Sequence, residues 1–337
     1  MRVAIIGQGY VGLTIAVDSA GAGHTVVGFD VNAELVKKLN VGHSHIEGIT
    51  DSHLGSLIES GSYSASSNPS TLEGCEVIVI AVPTPLDDQR NPDLSYVHSA
   101  ADLITKNVKS PVLVVNESTS YPGTLRSEIA ARISGVQHLY ASSPERVDPG
   151  NTQWGTKNTP RLIGGLTPAA VAKAKEFYGS FCDTIIEVSS PEIAEAAKIF
   201  ENTFRQVNIA LVNEFAQIAH ALGISVHETL EAANTKPYGF MKFNPGIGVG
   251  GHCIPVDPSY LAFTAKEAGI EPRFIELANE VSPVAPATSN APVVYDVILV
   301  GTSAFGCVDT ATTQVTVFPN AIAQFSSSAI SGCSPLQ

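Results

Sequence analysis

The last 56 residues of this 337-residue chain contain no lysine, arginine or glutamate. Their only charged side chains are Asp296 and Asp309, whereas residues 1–281 hold all 19 basic side chains and 30 of the 32 acidic ones. Proline, serine and alanine dominate residues 282–292, which is typical of a linker. The sequence therefore predicts a domain boundary near residue 282.

Basic residues, cysteines and long apolar runs are scarce throughout the chain. The formal net charge of −13 excludes a general nucleic-acid binder, because such proteins need clustered lysine and arginine. No apolar run approaches the roughly 18–20 residues of a membrane span, and the stretch after Arg2 is too short for a signal peptide. The five cysteines are widely spaced without a CxxC pair, unlike a disulfide framework or a zinc site. We expect a cytoplasmic protein with no metal and no membrane or nucleic-acid partner.

Strand and helix patterns alternate over residues 1–190. The predicted strands are Arg2–Ile6, Thr25–Phe29, Glu76–Val82, Val112–Asn116, His138–Ser142, Arg161–Gly164 and Thr184–Val188. This alternation predicts an α/β fold, a Rossmann-like parallel sheet covered by helices on both faces.

Residues 191–221 predict one helix of roughly 46 Å, which opens a helical central domain over residues 191–281. Its apolar residues recur in steps of three, four and seven. They are Ile193, Ala197, Phe200, Phe204, Val207, Leu211 and Ile218. A helix of this length forms either a dimer seam or a plain core helix, and the pattern leaves both open.

The glycine turn Gly7-Gln-Gly-Tyr-Val-Gly12 follows the first strand and precedes a helix. Gly7 permits the tight turn, Gly9 lets a pyrophosphate approach, and Gly12 permits close helix–strand packing. The helix N-terminus at Tyr10 and Val11 favours an anion. Asp30 ends the next strand, where a carboxylate accepts hydrogen bonds from a ribose and repels a 2′-phosphate. We predict a dinucleotide site that prefers NAD to NADP.

Two later strand ends should face this cofactor, because ligands of open parallel sheets bind at the carboxyl ends of strands. Pro83 and Thr84 follow one strand, and Ser118 and Thr119 follow the next. Prolines also simply end strands, so that interpretation stays open for Pro83.

The loop 244–256 contains four glycines and Cys253. Asp257-Pro258 predicts an N-cap followed by proline in the first turn, so Cys253 would lie just ahead of a helix N-terminus that favours a thiolate. A lone cysteine is more often a small buried hydrophobe, but the glycines favour a nucleophile.

Polar residues also line one face of the long helix. Lys198, Asn202 and Arg205 are spaced by four and three residues and so share one face of the helix. Such residues are ordinarily exposed to solvent, but Lys198 and Asn202 could also donate hydrogen bonds to an oxyanion that forms beside the thiol. Glu145, next to Arg146, supplies a carboxylate near a strand end that suits a general base.

Residues 1–281 resemble the nucleotide-sugar 6-dehydrogenases, the UDP-glucose/UDP-mannuronate dehydrogenase family. The resemblance rests on six segments in the family's order: GQGYVGL, AVPTPL, NESTSYPGT, SPERVDPGN, AAKIFENTFRQVNIALVNE and KPYGFMKFNPGIGVGGHCIPVDPSYL. The glutamate and cysteine segments most resemble the branch that oxidises UDP-N-acetylglucosamine. UDP-N-acetylmannosamine is the near alternative, and UDP-glucose is a further one.

The resemblance implies a four-electron oxidation of a sugar C6 alcohol to a carboxylate by two NAD molecules. Cys253 would attack the intermediate aldehyde to form a thiohemiacetal and then a thioester. Lys198 and Asn202 would stabilise the oxyanion, Asp257 would support Lys198 and the attacking water, Thr119 would hold that water, and Glu145 would act as base. The implied substrate contacts are Glu145, Arg146, Lys198, Asn202, Arg205, Phe243, Asn244 and Gly251.

The resemblance ends near Val281, although the family continues with a UDP-binding domain. Residues 293–337 instead resemble a fragment of a PKD-like repeat, with predicted antiparallel strands at Tyr295–Val300 and Gln314–Phe318. This change indicates a chimeric C-terminus and an impaired, truncated enzyme. From the length of helix 191–221 we expect a homodimer formed through that helix. The alternative in another class is a non-catalytic, dimeric NAD-binding fragment.

Overall fold

The computed structural model describes residues 1–147, 151, 153–246, 249, 254, 256–281, 293–302 and 308–317. The strands are β1 (Arg2–Ile6), β2 (Thr25–Phe29), β3 (Tyr63–Ser66), β4 (Val77–Ile80), β5 (Leu113–Asn116), β6 (Leu139–Ser142), β7 (Arg161–Gly165), β8 (Ile185–Glu187), β9 (Val293–Thr302) and β10 (Val308–Val317). The helices are α1 (Tyr10–Gly21), α2 (Ala33–Asn40), α3 (Asp51–Glu59), α4 (Ser95–Asn107), α5 (Pro168–Tyr178), α6 (Pro191–Ala221), α7 (Val226–Asn234), α8 (Asp257–Glu267) and α9 (Arg273–Val281). A 3-10 turn spans Pro69–Leu72 and a π-helical turn spans Leu125–Ala130.

Eight strands form one sheet in the order β3-β2-β1-β4-β5-β6-β7-β8. Alternate residues of the central strands enter two separate cores. Val3 and Ile5 pack on one face with α1, α3 and α5, whereas Ala4 and Ile6 pack on the other face with α4 and Tyr260 of α8. Because both faces are covered, the central strands are almost entirely apolar. The predicted α/β fold with its Rossmann-like sheet is confirmed.

One part of the all-parallel prediction is wrong, because β7 runs antiparallel to β6 through the pairs Ala141–Gly165 and Ser142–Gly164. A parallel neighbour needs a crossover connection, usually a helix. The described part of residues 143–160 contains no helix, so the chain returns directly beside β6. β3 was also not predicted, since its sequence YSAS mixes polar and apolar residues too briefly for a strand pattern.

The described residues separate into two compact units. The first contains the described residues of 1–203 and 256–272, and the second contains the described residues of 204–255 and 273–317. In the second unit β9 and β10 pair antiparallel, as predicted for the tail, over ten residue pairs from Val308–Thr302 to Val317–Val293. The proposed linker 282–292 lies outside the described residues, and the likeness to a PKD-like repeat stays a prediction. Within the described residues, no helix combines the length and apolar character needed to cross a membrane.

Candidate active site

The glycine turn between β1 and α1 has the geometry of a pyrophosphate site. Gly7 has a φ of +93°, and a Cβ there would lie 2.3 Å from the carbonyl oxygen of Ala81. A Cβ at Gly12 would lie 1.8 Å from the carbonyl oxygen of Gly7. A Cβ at Gly9 would instead point into open space, so this position is free for a ligand to approach. These contacts agree with the tight turn predicted at Gly7 and the close packing predicted at Gly12, and the approach of a pyrophosphate to Gly9 stays a prediction.

Asp30 lies directly beside this turn. Its Oδ2 accepts a 2.8 Å hydrogen bond from the backbone N–H of Gln8, and its Oδ1 accepts one of 2.9 Å from the N–H of Asn32. Asp30 is half-buried at the end of β2, where a ribose would reach it. The carboxylate that the sequence predicts to select NAD is thus held rigidly next to the pyrophosphate turn.

The buried side chain of Gln8 supports the turn from within the protein, a role that the sequence did not predict. Its amide nitrogen donates to the carbonyl oxygens of Ile5 and Gly7, both at 3.0 Å, and its oxygen accepts from the hydroxyl of Tyr63 at 2.8 Å. A Cβ at Gly28 would lie 2.3 Å from the same amide oxygen, so Gly28 makes the room for Gln8. These contacts join β1, β2 and β3, and residues so distant in sequence give no local pattern.

The two predicted strand ends contribute differently. The Ser118 hydroxyl is buried and accepts from the N–H of Val82 at 2.9 Å, which ties the end of β5 to the end of β4. Thr119 is half-buried, whereas the Ser120 hydroxyl next to it is buried and accepts from Asn116 at 3.1 Å. Sequence reasoning missed Ser120, although it stands in the same hydroxyl-rich segment.

Thr84 and Pro83 follow β4. The Thr84 side chain bonds the phenol of Tyr260 on α8, while Pro83 is exposed. This bond anchors α8 at the carboxyl end of β4, where the sequence predicts that the cofactor binds.

Asp257 and Asn202 meet in the first unit, 55 residues apart in sequence. The Asn202 amide donates to Oδ2 of Asp257 at 2.5 Å, and Asp257 is only 1% exposed. Burial raises the pKa of Asp257 to about 6, against the positive charge of Lys198 and the hydrogen bond from Asn202. Lys198, Asn202 and Asp257 thus form one polar cluster in a largely buried setting.

The predicted N-cap role of Asp257 is wrong. Val256 is the N-cap residue of α8, no side chain caps this end, and Asp257 is the first helical residue, followed by Pro258. Its carboxylate turns to Asn202 of α6 instead of to its own helix. Cys253 and Gly251 lie outside the described residues.

Glu145 lies in a second buried cluster. Its Oε2 accepts from Arg161 at 2.6 Å, and its Oε1 accepts from the N–H groups of Arg146 and Val147 at 2.7 and 2.8 Å. Burial alone would raise the pKa of Glu145, but the charge of Arg161 and the two N–H donors outweigh it and lower that pKa overall. Glu145 is therefore an ionised acceptor.

Arg146 is engaged within the chain. Its guanidinium donates to Glu201 at 2.6 and 3.2 Å and to the carbonyl oxygen of Pro160 at 2.7 Å. The other predicted substrate residues belong to the second unit. There Arg205 and Asn244 are exposed, and Phe243 packs against Phe204 with ring centroids 6.0 Å apart.

The sheet, the glycine turn and Asp30 define a dinucleotide-binding protein of the α/β class. Residues 1–182 match the NAD binding domain of the UDP-glucose/GDP-mannose dehydrogenase family, and residues 192–282 match the central domain of that family. The chain belongs to the UDP-glucose/GDP-mannose dehydrogenase family, and its cofactor is NAD.

The relatives it resembles include enzymes for two sugar epimers. It is 41% identical over 275 residues to a UDP-N-acetyl-D-mannosamine dehydrogenase of Pyrococcus horikoshii, covering 79% of this chain and 65% of the relative. It is 38% identical over 283 residues to a UDP-N-acetyl-D-glucosamine 6-dehydrogenase of Pseudomonas aeruginosa, covering 82% and 66%. The solved UDP-D-ManNAc dehydrogenase of P. horikoshii matches with a TM-score of 0.78 and 39% identity, covering 84% of this chain and 68% of that one. The chain thus spans about 65% of the length of the curated relatives that it matches.

Proposed function

We propose that residues 1–281 carry the NAD-dependent oxidation of a UDP-N-acetylhexosamine at C6, from alcohol through aldehyde to carboxylate. The observation that carries this proposal is the Lys198–Asn202–Asp257 cluster, in which Asn202 and Asp257 are buried and Lys198 is half-buried. Asp257 follows Cys253 by four residues in the chain. A buried carboxylate beside an ammonium and an amide is suited to stabilising negative charge that develops on a nearby oxygen. When bound, NAD accepts the hydride that leaves the sugar carbon.

The roles of the side chains follow from the family resemblance. Cys253 bonds to the aldehyde carbon and so retains it for the second oxidation, because a covalent adduct keeps an aldehyde from escaping. Lys198 and Asn202 donate to the oxygen of that adduct, and Asp257 holds Asn202 in place. Thr119 orients the water that releases the acid.

Glu145 removes a proton from that water as it attacks the thioester. Its ionised state, set by Arg161 and two backbone N–H groups, suits a proton acceptor.

UDP-N-acetylglucosamine is the substrate we favour, on the likeness of the segments around Glu145 and Cys253 to that branch. UDP-N-acetylmannosamine is the second candidate, because relatives with that activity match to a similar extent. Turnover of both sugars, measured by NADH absorbance on the same preparation, separates the two.

Cys253→Ser tests the covalent step. We expect no net acid formation, while NAD affinity measured by calorimetry stays the same, since the NAD site is built from other residues. A Cys182→Ser variant, which alters a buried cysteine of the first unit, is the matched control. Full acid production by Cys253→Ser would disprove the covalent role.

The second candidate function is NAD binding without turnover. We expect it if substrate binding needs residues other than 1–281. NAD binding without oxidation of either sugar by the unaltered chain would favour it.

We also propose a homodimer formed through α6. The helix carries a narrow apolar stripe that is exposed in the single chain. Its members are Ile193, Phe200, Phe204, Leu211 and Ile218, between 44% and 63% exposed. Exposed apolar surface of this extent on one helix face is typical of an interface.

A further inference from the structure

A buried guanidinium lies between two carboxyl groups near the carboxyl ends of β5 and β6. Arg161, on β7, is 4% exposed. Its Nη2 donates to Oε2 of Glu145 at 2.6 Å, and its Nη1 lies 3.1 Å from Oε1 of Glu117. The guanidinium also lies over the ring of Tyr178, 4.6 Å from its centroid. One cation therefore serves two acidic side chains, of which Glu117 is fully buried and Glu145 is 11% exposed.

The two carboxyl groups are satisfied to different degrees. Glu145 accepts three hydrogen bonds from Arg161 and two backbone N–H groups. Glu117 accepts from the hydroxyl of Tyr178 at 2.5 Å through Oε1, but its buried Oε2 has no hydrogen-bond partner among the described residues. A buried carboxylate oxygen without a hydrogen-bond donor is costly, and a neutral carboxyl group in the same place costs much less.

Charge balance also favours a neutral carboxyl group at Glu117. Two carboxylates against one guanidinium would leave a net negative charge in the interior, which is unfavourable. Burial raises the pKa of Glu117 to about 7, despite the attraction of Arg161, whereas the pKa of Glu145 is lowered overall. Tyr178, Cys182 and Asp18 also act on this cluster and add no positive charge. The neighbouring guanidinium of Arg146 is paired with Glu201.

We infer that Arg161 is a positioning residue that keeps Glu145 ionised and oriented, and that Glu117 holds the single proton of the cluster so that Arg161 can serve both. This inference rests on the proposed function only in its consequence, which is that Glu145 is ready to accept a proton from water. Arg161 and Glu117 act through Glu145 and do not contact the reacting atoms.

The inference is tested by titrating the full chain labelled with carboxyl-¹³C glutamate, with signals assigned through Glu145→Gln and Glu117→Gln. In the unchanged chain we expect Glu145 to titrate below pH 4.5, its ordinary value, and Glu117 to titrate near 7. Arg161→Gln should raise the titration of Glu145 by about 1–3 pH units, because the opposite charge is lost. Glu117→Gln should remove one of the two glutamate signals near pH 7, the other being that of Glu195, and leave the Glu145 titration in place.

Arg161→Lys keeps the charge but loses the two-sided fork, so we expect a smaller rise, and this variant carries the test if Arg161→Gln does not fold. Arg132→Gln removes an exposed arginine paired with Asp102 and should change neither signal. An unchanged Glu145 titration in both Arg161 variants, or a Glu145 signal that itself titrates near 7, overturns the inference.

The titration needs no substrate, so its outcome is independent of turnover. Absence of sugar oxidation by the unchanged chain contradicts the proposed function alone. Where turnover is measured, Arg161→Lys should move to higher pH the part of the rate profile that belongs to Glu145, which lies below the limb set by Asp257, without changing NAD affinity.

Discussion

The hydroxyl of Tyr63 supports the glycine turn Gly7–Gly12 by donating a hydrogen bond to the side chain of Gln8. Among the residues that the structure describes, Tyr63→Phe removes the only hydrogen bond to the amide oxygen of Gln8, which leaves a buried acceptor unpaired. Since the backbone N–H of Gln8 holds Asp30, we expect NAD affinity to fall about fivefold, equivalent to about 1 kcal/mol. Calorimetric titration with NAD measures this.

Tyr140→Phe is the control for this change, because Tyr140 lies on β6, which four strands separate from β3 in the sheet order. It should lower stability slightly and leave the dissociation constant unchanged. Equal NAD affinity in Tyr63→Phe and the unchanged chain would show that Gln8 keeps its position without the hydroxyl.

The buried carboxyl group of Asp257 predicts that the free energy of unfolding depends on pH. Its pKa of about 6 in the fold exceeds the ordinary 3.8, so the protonated form stabilises the folded chain. That contribution is present at low pH and is lost as the pH rises from about 4 to about 6, by at most about 3 kcal/mol. Asp257→Asn should flatten this part of the curve of unfolding free energy against pH, measured with urea.

The same ionisation should affect turnover in the opposite direction. Ionised Asp257 pairs with the charge of Lys198, so the rate should rise as the pH passes about 6. Asp257→Asn should lower kcat about 100-fold at pH 8 and remove this limb. A rate limb that persists near pH 6 in Asp257→Asn belongs to another group.

At the scale of elements, the buried contact between α6 and the segment of the π-helical turn is made by the side chain of Glu195. Glu195 is 1% exposed and accepts from the N–H groups of Gly123 and Leu125 at 2.7 and 2.9 Å. Glu195→Ala leaves two buried donors without an acceptor and should cost about 2–3 kcal/mol of unfolding free energy in urea. Glu192→Ala, which breaks a partly exposed pair with Arg126 on the same helix, should cost less than about 1 kcal/mol.

At the scale of the whole molecule, the α6 stripe predicts the oligomeric state. Its five exposed apolar residues recur at intervals of seven and four, which keeps them on one side of the helix. Leu211→Glu places a charge at the centre of this stripe and should convert a dimer to a monomer in light scattering. His220→Glu is the control, since nine residues correspond to two and a half turns and place this exposed residue on the opposite side. A monomeric unchanged chain would rule out the interface.

Much of the fold could be read from the sequence, because its signals are local. The glycine turn, the alternating strands and the bounds of α6 each depend on residues close together in the chain. The direction of β7 could not be read from the sequence, since a short, largely apolar strand shows the same pattern whether it runs parallel or antiparallel to its neighbour.

The candidate site divides in the same way. The sequence by itself determined the NAD turn and Asp30, because pyrophosphate recognition uses backbone groups of one short segment. Only the tertiary structure decided the partners of the buried charges: Asp257 meets Asn202 across 55 residues, and Arg161 meets Glu117 across 44. The reason is physical, since burying a charge requires a partner, and which partner is near depends on strand order and packing and not on spacing in the chain.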